Sequence, residues 1–175
     1  MLRLLPLINA LLLLGLLPAA ARADVEVGFW TRELGLELPH AFFTIRGTVE
    51  GKPVEESYGF TAKTITPALL WGPVPGRIDL TTKGYMAASQ KLWTVTVSDA
   101  AYPRLKALVA RYSIKPGSIY RMNERNCVHF VAEAANVIGM RLPDGKGMMK
   151  RPTRYMMAIA AANKDFPTLK MVPHK

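Results

Sequence analysis

Cys127 is the single cysteine among 175 residues, and it follows Asn126 at the head of an apolar run reaching Ile138. Asn is a favoured residue just before a helix and Gly139 a natural one just past its end, so the spacing predicts a helix opening at Cys127. A thiol in the first helical turn meets unpaired backbone N–H groups and the positive end of the helix dipole, which favour thiolate over thiol. A thiolate is a strong nucleophile, and the same amides can hold an oxyanion formed beside it. Cys127 shares a helical face with Phe130, Val131 and Ala134, so it is expected to point toward a sheet and not into solvent. That position also suits a cysteine that only fills a core.

A nucleophilic thiol needs a base, and the chain offers three histidines, His40, His129 and His174. His129 is two residues from Cys127, a spacing whose side chains do not face each other on a helix, so it reads as a capping or surface residue. His174 lies in the C-terminal tail. His40 follows Pro39 at the head of the apolar stretch Ala41–Ile45, where a strand's rigidity meets access from a loop, and is the candidate partner of Cys127. One cysteine and separated histidines lack the close ligand spacing of a zinc site. The chain carries no Gly-x-Ser-x-Gly elbow, phosphate loop or dinucleotide fingerprint. Neither a metal nor a cofactor is expected.

The elements that must position the pair are legible in outline. Asp24–Phe29 alternates apolar and polar residues as a half-buried strand does, and Ala41–Ile45 and Val54–Phe60 read as two further strands. The turn residues Glu50-Gly51-Lys52-Pro53 between them predict an antiparallel hairpin whose register stays open. Gly72–Gly76 is expected to be a loop, Leu92–Val97 a strand, and the segment from Ser98 or Asp99 to Tyr112 a helix with Pro103 in its first turn. Ser118–Met122 reads as a short extended piece, Arg154–Asn163 as a last helix and Lys164–Lys175 as a loosely ordered tail. The expected fold class is α+β: an antiparallel sheet packed against the Cys127 helix, in one domain spanning residues 24–175.

Residues 1–23 have a basic start, a short apolar centre and an Ala21-Arg22-Ala23 ending, the three parts of a secretory signal peptide. Cleavage after Ala23 and a periplasmic or secreted location are expected, with no membrane span afterwards. A lone thiol in an oxidising compartment is open to oxidation, which is mild support for its having a use. The leader carries only Arg3 and Arg22, so most of the net charge of +10 stays with the exported chain. Such a charge favours anionic partners. The basic residues are scattered, Lys146, Lys150, Arg151 and Arg154 forming the densest group, and no nucleic-acid-reading pattern accompanies them, so nucleic acid is not expected.

The hexapeptide Asn126-Cys127-Val128-His129-Phe130-Val131 resembles the Asn-Cys-Glu-His-Phe-Val motif of the lecithin:retinol acyltransferase-like proteins, with Val128 in place of the acid. Those proteins belong to the circularly permuted branch of the NlpC-type papain-like superfamily, in which the histidine strand precedes the cysteine helix. Pro39-His40-Ala41-Phe42 precedes Cys127 here, and the resemblance spans Pro39 to Gly139. It implies a papain-like domain with Cys127 as nucleophile and His40 as general base and later acid. A third polar residue on the strand after the histidine normally orients the imidazole. No second histidine stands there, and Glu56, Ser57 and Tyr58 are the candidates. The expected activity is that of an exported thiol hydrolase opening an amide bond through a Cys acyl-enzyme, with peptidoglycan peptides or another anionic envelope polymer as substrate. The alternatives are a lipid acyltransferase or lipase using the same pair, and a non-catalytic binding module on the same fold.

Overall fold

A computed structural model describes residues 24–33 and 39–173. The expected signal peptide, the segment 34–38, His174 and Lys175 lie outside the described residues.

Strands β1 (Asp24–Arg32), β2 (His40–Val49) and β3 (Lys52–Ala62) form the centre of the sheet. Alternation decides what each strand buries: Val25, Val27 and Phe29 are fully buried, as are Ala41, Phe43 and Ile45. The β2–β3 hairpin turns through Glu50 and Gly51, with φ of 49° and 76°. Two successive residues in the left-handed region make the tight turn whose twist matches its strands, and it fixes the register at Val49↔Lys52 and Phe42↔Gly59.

Strand β4 (Val74–Asp79) pairs with β3, placing Asp79 opposite Gly59. The expected loop Gly72–Gly76 is therefore corrected, since Val74, Pro75 and Gly76 already belong to the strand. Pro75 cannot donate a hydrogen bond, but its carbonyl accepts one from the Lys63 amide at 2.7 Å. Strands β5 (Gln90–Ser98), β6 (Ile119–Tyr120) and β7 (Leu169–Met171) complete a seven-stranded antiparallel sheet in the order β6-β4-β3-β2-β1-β5-β7. Strand β7 corrects the expected loose tail. It pairs with β5, and the Thr168 hydroxyl and the Val172 amide also donate to the Thr96 and Leu92 carbonyls.

Among the described residues four α-helices accompany the sheet: α1 (Lys83–Ala87), α2 (Ala101–Ser113), α3 (Cys127–Val137) and α4 (Pro152–Ala162). Helix α2 starts without the expected side-chain cap. The fold class is α+β, and the strand that opens with His40 precedes the helix that opens with Cys127. Phe130 of α3 is the centre of the packing: its ring lies 5.4 Å from Phe43, 6.2 Å from Phe60 and 4.8 Å from Tyr112, centroid to centroid. The small, fully buried Ala134 and Ala135 let α3 approach the sheet closely. At the far side of the core Trp93 stacks on Phe29 and donates to the Met156 carbonyl of α4 at 3.0 Å. Phe130→Ala should leave a large cavity between α2, α3 and the sheet and cost about 3–5 kcal/mol, read as a lowered urea midpoint with an unchanged slope.

Candidate active site

The α3 terminus owes its position to Asn126, which is 2% exposed. Its side-chain oxygen accepts from the Val128 amide at 2.8 Å and the His129 amide at 3.2 Å. Its side-chain nitrogen donates to the Met122 and Met149 carbonyls, both at 2.7 Å, and so ties two separate loops to the helix start. The His129 ring reaches back to the Asn126 amide at 3.3 Å and closes a capping box. His129 is thus the capping residue that its spacing suggested.

Cys127 follows as the first helical residue and is 5% exposed. Hydrogen bonding from the nearby Ala41, Val128 and Cys127 backbone N–H groups favours the anion. Burial nevertheless outweighs them and pushes the thiol up to about 11. The expectation that the helix terminus would lower it is corrected, because a fully desolvated thiolate costs more than those amides return. Ala41 is the residue after His40, so the strand carrying the histidine touches the cysteine directly.

His40 opens β2, and its imidazole and the Cys127 thiol line one cavity of about 250 Å³. The ring lies over Gly59 of β3, where a Cβ would come within 2.6 Å of Nε2. Any larger residue at Gly59 would push the ring out of this position. Tyr85 of α1 meets the imidazole edge-on at 6.3 Å, centroid to centroid. His40, Phe42, Gly59 and Asp79 share the sheet face away from α3, so the imidazole meets the thiol's cavity at the end of the strand. No hydrogen bond joins the two side chains among the described residues. Burial pushes His40 down to about 4, partly opposed by the Asp79 carboxylate. Thiol and imidazole are therefore both neutral at pH 7.

The three candidates for orienting the imidazole are engaged elsewhere. Glu56 binds Tyr102 at 3.0 Å and Lys106 at 3.2 Å, and Tyr58 accepts from the same lysine. The Ser57 hydroxyl bonds the Thr81 backbone, accepting from its amide at 2.9 Å. The hairpin register turns Glu56 and Tyr58 toward α2, on the face opposite His40. Asp79 instead shares the cavity with His40 and Cys127. It also sits 3.7 Å from Arg77. Asp79 is not legible in the sequence because β4 hides behind a Gly-Pro run. A glycine inside a strand is a sign of close approach, and Gly59 was the available signal.

Tyr120 of β6 completes the wall beside the thiol. Burial and the neighbouring Cys127 raise its phenol, which stays protonated and available as a donor. Among the described residues no group of three or more His, Cys, Asp or Glu side chains could hold a metal ion, and no helix is long and apolar enough to cross a membrane.

No family model matches the chain. No curated protein matches it either. Among solved structures it is similar to the type VI secretion system effector TseH, at 14% identity and a TM-score of 0.49, over 81% of this chain and 90% of that one. A likeness at that level assigns neither a substrate nor site residues.

The raised thiol makes a pH prediction. Below a pKa of about 11 the thiolate fraction grows tenfold per pH unit, so iodoacetamide labelling of Cys127 should rise about tenfold per unit from pH 7 to 9. A rate already level by pH 8, measured by intact mass, would show an activated thiol and contradict this.

Proposed function

We propose that the protein is an exported thiol hydrolase that opens an amide bond through an acyl-enzyme on Cys127, with peptidoglycan peptides as substrate. The observation that carries the reading is the shared cavity of Cys127 and His40, with the Ala41 amide on the sulfur. The motif around Cys127 and the order of histidine strand before cysteine helix support it as well.

Because both groups rest neutral, His40 acts as a general base during attack and does not hold a ready-made imidazolium. Substrate filling the cavity draws the two together, as catalytic hydrogen bonds tighten on binding. The Cys127 sulfur attacks the carbonyl carbon while its proton passes to His40. The Cys127 amide and the Tyr120 hydroxyl, both at the cavity, serve as donors to the oxyanion that forms. His40 then gives the proton to the departing amine and leaves a thioester. Water, deprotonated by His40, attacks the thioester and releases the acid and the free thiol. Asp79 is a positioning residue: its charge favours the imidazolium that forms in each half-reaction. The export expected from the leader and the net charge of +10 suit an anionic wall polymer.

A second reading keeps the same acyl-enzyme but takes its acyl group from a lipid ester. Ile65 and Leu69, two apolar residues lining the cavity, favour it.

Incubation of purified muropeptides with the enzyme should release peptide fragments detectable by mass spectrometry. Cys127→Ala should abolish release and His40→Ala should lower kcat by about 1,000-fold. Asp79→Asn should lower kcat by roughly 10- to 100-fold with little change in KM, since it acts through His40. Full activity in Cys127→Ala refutes the mechanism; intact muropeptides together with acyl transfer from a lipid ester select the second reading.

A further inference from the structure

Residues 64–76 contain no charged side chain, and Lys63 and Arg77 bound the run on either side. Within it Pro67–Leu70 forms a single 3-10 turn, closed by the Leu69 amide on the Thr66 carbonyl at 3.1 Å and the Trp71 amide on the Ala68 carbonyl at 3.0 Å. Leu69, 4% exposed, anchors the turn inward. That anchoring leaves the other apolar residues facing out: Ile65 is 71% exposed, Leu70 74% and Trp71 87%. A folded domain rarely leaves a tryptophan so open beside two aliphatic side chains without a use for it.

The turn forms the rim of the Cys127–His40 cavity, since Ile65, Leu69, Lys63 and Arg77 all line that cavity. Three apolar side chains at a tip are far too few to bury the roughly 800 Å² per partner of a stable protein interface. They are enough to enter the headgroup region of a bilayer, where tryptophan is the favoured side chain. The basic residues on both flanks and the net charge of +10 complement an anionic lipid surface.

We propose that the Ile65–Trp71 turn docks the protein on anionic bilayers and holds the mouth of the Cys127–His40 cavity at the lipid surface. Docking fixes where the cavity opens and not which bond it opens, so it stands apart from the chemistry proposed above.

The test compares the wild-type protein with Leu70→Ser/Trp71→Ser and with Cys127→Ala, all in the same form so that residues 1–23 contribute equally. Each is sedimented with phosphatidylcholine vesicles with and without a quarter phosphatidylglycerol, and tryptophan quenching is read with brominated acyl chains. Wild type and Cys127→Ala should bind the anionic vesicles equally, with binding weakened on neutral vesicles. The double variant should bind at least about tenfold more weakly and lose the bromine quenching, because of the other two tryptophans Trp93 is buried in the core and Trp30 is half-buried against Phe42, outside the turn. Circular dichroism and urea midpoints confirm that the double variant is folded. Equal binding by the double variant, quenching that survives loss of Trp71, or equal binding to neutral vesicles overturns the proposal. Wild type that ignores vesicles but self-associates through the turn in sedimentation velocity overturns it too. A Cys127→Ala variant that binds normally but cleaves nothing separates the docking from the catalytic reading.

Discussion

The Asn126 side chain makes hydrogen bonds in three directions, and the reacting end of the molecule depends on them. It satisfies the Val128 and His129 amides of α3 and holds the Met122 and Met149 carbonyls of two loops. A buried amide left half satisfied is costly, so this geometry admits little slack. Cys127 inherits its position from it, with its sulfur against the Ala41 amide at the start of β2. From the other side His40 is set by sterics: Gly59 leaves room for the ring and Tyr85 closes over its edge. The cavity exists because a capped helix terminus meets the first residue of a strand.

That meeting place is withdrawn from solvent, Cys127 almost wholly and His40 in part, and the burial decides the electrostatics. Helix-terminal amides favour an anion by about 1 kcal/mol or somewhat more. Raising the thiol from 9.0 to about 11 corresponds to a net cost of about 3 kcal/mol for the anion, so desolvation wins after those amides have been counted. Burial likewise drives the imidazole toward its neutral form despite Asp79. A neutral resting pair protects a lone thiol from adventitious oxidation, since the thiolate is the reactive species. It also makes the proton transfer part of the chemical step.

Much of this site was legible in the residues themselves. The caps at Asn126 and Gly139 fixed the helix, and Gly139 does take the left-handed conformation, at φ of 94°. The apolar run Ala41–Ile45 located the strand that His40 opens. What stayed hidden depends on pairing. A two-residue turn at Glu50-Gly51 decides that Glu56 and Tyr58 face α2 and that Gly59 lies under the imidazole, and no local pattern states that register. Strand β4 was masked by prolines and glycines that a strand tolerates only with the right neighbours, and Asp79 was masked with it. Strand β7 is three residues long and held by its partner β5, so its own sequence carries almost no signal. The thiol's ionisation failed for a related reason, since local rules see the helix terminus and not the desolvation around it.

The central claim is that Cys127 and His40 react as a pair across one cavity. Rapid-quench intact mass spectrometry with a small activated ester tests it most directly, because the single cysteine gives an unambiguous adduct. The account predicts one acyl group per chain, mapped to Cys127, forming at least about 100-fold more slowly in His40→Ala. An acylation rate that His40→Ala leaves unchanged, or an adduct on any other residue, would contradict it.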